Sequence, residues 1–365
     1  MTEKTLLIGI RLDGEPLDYL MESLGELKEL AESAGAIVAD IIIQNRKEID
    51  NKYYIGRGKL EEIAGYYKDE DINLIIFNNE LSPTQAKNIE EMTDIRVITR
   101  TELILDIFAI HAKTKTSKYQ VELAQLSYMQ SRLVGKGISM SRTRGGIGLR
   151  GPGEQQLELD RRLIRKRISY IEKKIKRIDI NRDIQRKNRM NRVYRISIVG
   201  YTNSGKSSLL NLLTGSKVIA RDRMFSTLDT TTRKLWLGDA EHDYNKNAVI
   251  TDTVGFIRDI PHTLVKSFKT TLEDITFSNL LIHLIDANSK YINENIGIVS
   301  ETLSEIGAKD IPFILCFNKI DLISTEVLLD IRMKHPEAVY ISCIERKNID
   351  SLKKTISEHM HNFKY

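Results

Sequence analysis

Gly200-Tyr201-Thr202-Asn203-Ser204-Gly205-Lys206-Ser207 decides the reading of this chain; Arg195-Ile-Ser-Ile-Val199 precedes it and Ser208-Leu-Leu-Asn-Leu-Leu213 follows. The eight residues fit G-x-x-x-x-G-K-[ST] between an apolar run that predicts a buried strand and a segment that predicts a helix. Glycines let the backbone N–H groups wrap phosphates, and the helix N-terminus adds the positive end of its dipole. Gly200 to Ser208 are therefore the expected phosphate contacts, with Lys206 as a point charge and Ser207 as an oxygen ligand for Mg²⁺. The alternative is a glycine-rich tight turn.

Downstream residues separate these readings. Ala248-Val-Ile-Thr-Asp252 predicts a strand ending in an aspartate that can hold Mg²⁺, and Thr253-Val-Gly255 places a glycine whose N–H can meet a γ-phosphate. Leu280 to Asp286 predicts another buried strand. Ile314-Leu-Cys-Phe-Asn318-Lys319-Ile320-Asp321 ends a further strand in Asn-Lys-x-Asp, whose carboxylate can accept two hydrogen bonds from N1 and N2 of guanine. Adenine offers no such pair. Ser342 and Cys343 are placed as the last base-contacting loop. In this order the elements predict a GTPase domain with GTP/GDP and Mg²⁺ as its ligands.

The chain has 365 residues, 41% hydrophobic and 29% charged, enough for two or three domains. No apolar run reaches the roughly 18 residues of a membrane span, and the N-terminal stretch lacks the pattern of a secretory signal. A cytoplasmic protein without membrane insertion is expected. Cys316 and Cys343 are expected in the core, neither as a disulfide nor as metal ligands.

Net charge is +5, but residues 141–195 hold 18 lysines and arginines against 6 acidic residues, a local +12 that leaves −7 elsewhere. Such a run can be a solvated helix face. Beside a nucleotide switch it also fits a polyanionic partner, RNA before others.

From the N-terminus, strand-like runs at Thr5–Ile10, Ile37–Ile43, Asn73–Phe77 and Ile95–Ile98 alternate with helical patterns at Leu17–Ser33, Lys59–Tyr67 and Pro83–Met92. That alternation predicts a small α/β domain with a mainly parallel sheet. Tyr54-Ile-Gly-Arg-Gly-Lys59 within it reads equally as a phosphate-binding turn or a plain one. Leu103, Ile104, Ile107 and Phe108 open a helical region. A stripe of Val121, Leu123, Ala124, Leu126, Met129 and Leu133 predicts one arm of a helical hairpin, and Leu157, Leu163, Ile164, Ile168, Ile171, Ile175 and Ile180 predict the other. Between them Gly135 to Glu154 is too rich in glycine to be predicted as helix. Its Arg142, Arg144 and Arg150, with Arg161 and Arg162 on the return arm, are candidate RNA contacts; a flexible linker is the other reading. The predicted α/β architecture thus has three parts: a small parallel-sheet domain (1–113), a hairpin connector (114–192) and a P-loop GTPase domain (193–365).

The whole combination resembles the HflX family of translational GTPases, over nearly all of the chain. The resemblance rests on Tyr54-Ile-Gly-Arg-Gly-Lys59, on Gly145-Gly-Ile-Gly-Leu-Arg-Gly-Pro-Gly-Glu154 with Asp160-Arg-Arg-Leu-Ile164, on Phe225-Ser-Thr-Leu-Asp-Thr-Thr-Thr-Arg233, and on Asp252-Thr-Val-Gly-Phe-Ile-Arg-Asp-Ile-Pro-His262. It implies binding of whole ribosomes and of the large subunit, reaching rRNA near the peptidyl-transferase centre, and GTP-dependent splitting of stalled or idle ribosomes, often under stress. A monomer off the ribosome with no role on DNA is expected. The resemblance also implies Phe225 as a nucleotide contact, and Thr227, rather than Thr230, Thr231 or Thr232, as the switch threonine on Mg²⁺. The sequence departs from the family at Thr230, where proline is frequent, and at Cys343, where alanine is common. The last helix of the GTPase domain is expected close to residue 365, so the contacts that an extra C-terminal domain makes in some relatives are not expected from these residues.

Lys206, Thr227, Asp252 and Gly255 are the expected hydrolytic set. Phe256 stands where many GTPases place a water-orienting glutamine, and a phenyl ring cannot orient water by hydrogen bonding. Slow intrinsic turnover that rises on the ribosome follows. Two other functions fit the same residues: assistance in subunit assembly, and ATP-dependent rRNA remodelling through Gly56-Arg57-Gly58-Lys59.

Overall fold

The computed structural model describes residues 3–67, 71–141, 152–187, 193–215, 224–225, 230–236, 248–258 and 274–361. The chain divides into two compact units, one chiefly Met1–Ile110 with Lys118–Ile175, the other chiefly Lys176–Ile260 with Val265–Tyr365.

In the first unit β1 (Lys4–Leu12), α1 (Leu17–Ser33), β2 (Ile37–Arg46), α2 (Arg57–Tyr66), β3 (Leu74–Phe77), α3 (Pro83–Thr93) and β4 (Arg96–Thr99) alternate. The strands form one sheet in the order β2-β1-β3-β4, every pair parallel. β1 and β3 are apolar and buried on both faces, as a sheet between helices requires. Leu20, Leu24, Leu27 and Leu30 recur at helical spacing and bury one face of α1. At the start of α3 Ser82 and Gln85 form a reciprocal capping box with Pro83 in the first turn.

β2 is an edge strand carrying Ile41-Ile42-Ile43. Its register with β1 steps from Thr5↔Val38 to Leu6↔Asp40, which leaves Ala39 as an extra residue. Asp40 then accepts the N–H of Ile41 at 2.7 Å and the hydroxyl of Tyr67.

After β4, α4 (Arg100–His111) buries Leu103, Ile104, Ile107 and Phe108 as the pattern predicts. Arg100 is buried and ion-paired with Glu26, and its Nη1 donates to the Ser23 carbonyl and to Asn78 Oδ1. The hairpin arms are α5 (Lys115–Ser141) and α6 (Pro152–Lys187), about 40 and 54 Å long at 1.5 Å per residue. Three hydrogen bonds set them side by side: the Arg167 guanidinium grips both carboxylate oxygens of Glu122, and Arg161 Nη2 donates to the Leu133 carbonyl.

Three expectations need correction here. Helix covers Gly135 to Ser141 and Pro152 to Glu154, so part of the stretch whose glycine content argues against helix is helical; 142–151 lie outside the described residues. Extending an existing helix is far easier than nucleating one, which absorbs the roughly 1 kcal/mol that each glycine costs; Pro152 fits the first helical turn. Met129 (53% exposed) lies off the α5 seam, while Val121 and Ala124 form it. On α6 the shielded positions include 161, 164, 168, 171, 175 and 178, alternating steps of three and four, with 160, 174 and 179 beside them. Leu163 (63% exposed) and Ile180 (51% exposed) fall off that heptad-like face, and Ile178 continues it.

The second unit holds β5 (Tyr194–Gly200), α7 (Lys206–Thr214), β6 (Thr231–Leu235), β7 (Ala248–Asp252), β8 (Leu280–Asp286), α8 (Ile292–Glu305), β9 (Phe313–Asn318), α9 (Thr325–Lys334), β10 (Val339–Tyr340) and α10 (Ile349–His361). Its sheet runs β10-β9-β8-β5-β7-β6, parallel except for β6 at the edge. Strand order reverses around β5, so the crevice at the carboxyl end of β5 is the place such sheets offer to a ligand.

Candidate functional site

The phosphate loop leaves β5 at that reversal, and two glycines let it do so. A Cβ on Gly200 would stand 2.2 Å from the Leu284 carbonyl oxygen of β8; one on Gly205, at φ +95°, would stand 2.3 Å from Asn318 Nδ2. Asn203 between them takes the left-handed conformation at φ +60°. Ser208 lies half-buried in the first turn of α7.

Lys206 is buried at the start of α7, where Nζ donates to the Tyr201 carbonyl at 2.7 Å and the Gly200 carbonyl at 3.1 Å. Burial pushes its pKa down to about 8; Asp252 opposes that shift and Lys319 adds to it. His283 on β8 is pushed down to about 4 by burial and by the Lys206 charge, and stays a neutral neighbour. Ser207 Oγ donates to Asp252 Oδ2 at 2.6 Å. These are hard oxygen donors of the kind Mg²⁺ prefers, brought together by a helix start and a strand end.

Gly255 sits on the other side of Lys206. A Cβ there would be 3.0 Å from Lys206 Nζ and 2.9 Å from Thr202 Cγ2, so a side chain would crowd the lysine. The Phe256 N–H donates to the Gly200 carbonyl at 3.1 Å, and its carbonyl accepts the Thr202 N–H at 2.7 Å. The Phe256 ring is 2% exposed and packs with Val199, Ile275, Leu281 and Val299, away from the loop. Its character as a core residue explains why phenylalanine stands there.

Asn318, expected at the base, ties into the same network. Asn318 Nδ2 donates to the Ser204 carbonyl at 2.9 Å, and Asn318 Oδ1 accepts the Cys343 N–H at 3.0 Å. Lys319, in the left-handed conformation at φ +63°, ion-pairs with Asp286 Oδ2 at 2.8 Å. Asp321 Oδ1 is buried with no hydrogen-bond partner among the described residues. The Ser342 hydroxyl accepts the Glu345 N–H, which fixes the loop that presents Cys343. Burial pushes the Cys343 thiol up to about 12, with Asp321 adding to it, so it is un-ionised at neutral pH.

Among the expected site residues described in the second unit, hydrogen bonds thus join Lys206 to Gly200 and Tyr201, Ser207 to Asp252, and Asn318 to Ser204 and Cys343. Phe225 is buried at φ +54°. Thr230 Oγ1 reaches Asp274 Oδ2 at 3.4 Å and Thr232 bonds to Thr251, so both have partners of their own. Thr227, Arg142, Arg144 and Arg150 lie outside the described residues. In the first unit Arg162 is exposed, whereas Arg161 is spent on the Leu133 carbonyl. At the Tyr54–Lys59 turn, Gly56 starts α2, its N–H taken by Gln44 Oε1 at 2.8 Å, and Arg57 and Lys59 pair with Glu61 and Glu62. Those local partners favour the plain turn. Asp286, His283 and the Tyr201 hydroxyl were missed in the sequence; only the strand-end position of Asp286 could have marked one of them.

Three family models match the chain: "GTP-binding GTPase N-terminal" over residues 21–109, "GTP-binding GTPase Middle Region" over 111–189 and "50S ribosome-binding GTPase" over 195–319. Among curated relatives, the GTPase HflX of Caldanaerobacter subterraneus subsp. tengcongensis is 45% identical, over 93% of this chain and 77% of its own length. The GTPase HflX of Escherichia coli is 43% identical over 94% and 80%. Among solved structures, SsGBP in complex with GDP aligns with a TM-score of 0.56 at 28% identity, covering 98% of each chain. A GTP-binding protein of Sulfolobus solfataricus in complex with GDP gives 0.52 at 27%, covering 99% of each.

Proposed function

Since the chain belongs to the HflX family of GTPases and is a GTP-binding, GTP-hydrolysing enzyme, we propose that it works as a GTP-timed factor on the large ribosomal subunit that splits or rescues stalled ribosomes. One observation carries the ribosomal part of this reading: the outer face of α6 exposes Arg162, Arg165, Lys166, Lys173, Lys176 and Arg177, all on a helix whose other face is committed to the hairpin seam. A row of cations along one helix suits an RNA backbone.

Within the GTPase unit the phosphate loop N–H groups and Lys206 would cradle the β- and γ-phosphates, and the Gly255 N–H would meet the γ-phosphate. Asp321 would accept from guanine, with Asn318 bracing both the phosphate loop and the Cys343 loop. Ser207 and Asp252 fit Mg²⁺ by donor type and convergence, Thr227 completing the set; bound there, the ion neutralises charge developing on the transferred phosphoryl group. Phe256 cannot orient the attacking water, because its ring is in the core. Turnover by the isolated protein is therefore slow, and the missing polar group comes from rRNA, a ribosomal protein or a rearranged switch segment. Away from ribosomes the protein is a monomer.

Light scattering of intact 70S ribosomes tests the reading. Protein with GTP or a non-hydrolysable analogue should lower the scattering as subunits part. Unchanged scattering under both conditions, with subunit binding intact, would move the function to subunit assembly.

A further inference from the structure

The second residue of the phosphate loop is chemically idle in the cradle itself, because the loop holds phosphates with backbone N–H groups and places no demand on that side chain. Here it is tyrosine, and its hydroxyl has a defined partner. Tyr201 Oη accepts the backbone N–H of Arg258 at 2.9 Å.

That bond closes the far end of a short splice. Gly200 and Thr202 pair with both backbone groups of Phe256 in a parallel bridge, and the Phe256 ring is sunk in the core. Two residues on, Arg258 is held through its N–H by Tyr201, while its guanidinium lies 5.2 Å from the centre of the Tyr291 ring. Gly255, immediately before the splice, is thereby fixed beside Lys206 Nζ. The backbone bonds survive any substitution; the tyrosine bond is the one a single atom removes.

We infer that Tyr201 is a positioning residue that couples the phosphate loop to the Asp252–Arg258 segment, so that the Gly255 N–H is already aimed when a γ-phosphate arrives. The inference rests on the reading above that Gly255 meets the γ-phosphate. Because GDP lacks that group, the hydroxyl contributes to binding and hydrolysis of GTP and leaves GDP binding alone. Preorganisation of this kind avoids moving the segment during the reaction.

The test is Tyr201→Phe in the full chain, with Gly255→Ala alongside and thermal melts to confirm folding. Fluorescent GDP should bind within about twofold of the parent. A non-hydrolysable GTP analogue should bind roughly three- to tenfold more weakly, the weight of one hydrogen bond, and single-turnover hydrolysis should fall by a similar factor. If Gly255→Ala shifts the GTP-to-GDP affinity ratio and Tyr201→Phe does not, the coupling role is overturned while the γ-phosphate reading stands. If neither shifts it, both fall.

Discussion

Raising the pH through 8 should loosen nucleotide binding, and Lys206 is the reason. In the nucleotide-free protein burial pushes the pKa of its ammonium down to about 8 from 10.5, although two backbone carbonyls accept from it. Phosphate oxygens favour the charged form and would return the pKa well above that value, so binding must draw a proton from solvent wherever the free protein has lost it. Protonation needed for binding raises the apparent Kd by 1 + 10^(pH − pKa), which from pH 7 to pH 8.5 is about fourfold, with about half a proton taken up per GDP at pH 8. His283, at about 4, does not titrate in this window. Calorimetry of GDP binding in buffers of different ionisation enthalpy reads the uptake directly. A binding enthalpy at pH 8 that is the same in all buffers, together with a flat Kd, would refute the argument. The same shift has a stability consequence of opposite sense: between pH 8 and 10.5 the unfolded chain holds a proton the native one lacks, so the nucleotide-free protein gains stability as pH rises.

Phe256→Gln should cost about 2–4 kcal/mol of stability in thermal melts and leave intrinsic kcat unimproved, because the position faces the core; a faster enzyme would show that the side chain can reach the nucleotide. Asp286→Ala should weaken GDP and GTP equally by a few-fold in fluorescence titrations, since Lys319 loses the anchor that holds it at the base site; unequal loss would place Asp286 elsewhere in the cycle. Gly200→Ala should lower the melting temperature by several degrees, its methyl group having no space against the Leu284 carbonyl. Replacing Arg162, Arg165 and Lys166 together by glutamine should weaken large-subunit binding and flatten the log K against log salt slope by about 2, with GDP affinity unchanged.

Much of the fold was legible because its signals are local. Leu20-x3-Leu24-x2-Leu27-x2-Leu30 can only bury one face of a helix, and the apolar β1 and β3 runs can only be inner strands. The phosphate loop and Asn318-Lys319-x-Asp321 were legible for the same reason, as each motif is short and lies at a strand end. What stayed hidden depends on residues far apart in sequence. Nothing near Asp286 announces Lys319 as its partner, and nothing near Tyr201 announces Arg258. The α6 seam failed differently: Leu163 and Ile180 are apolar, but 36 residues of helix offer several overlapping stripes, and only the opposite arm selects the one through Ile164, Ile168, Ile171, Ile175 and Ile178. Arg161 was read as an RNA contact because an arginine on a basic helix looks free until the neighbouring carbonyl is known.

The extra residue at Ala39 and the carboxylate of Asp40 bear on how this protein survives in a crowded cell. An isoleucine-rich strand at the rim of a sheet is a template on which other chains can stack, and Ile41-Ile42-Ile43 is such a sequence. Here the bulge bends the rim out of register, and Asp40 occupies the Ile41 amide with its own carboxylate, leaving a charge where an incoming strand would lie. An Asp40→Val substitution should therefore fold and bind GDP yet precipitate with time and concentration, a defect of colloidal behaviour with no trace in catalysis.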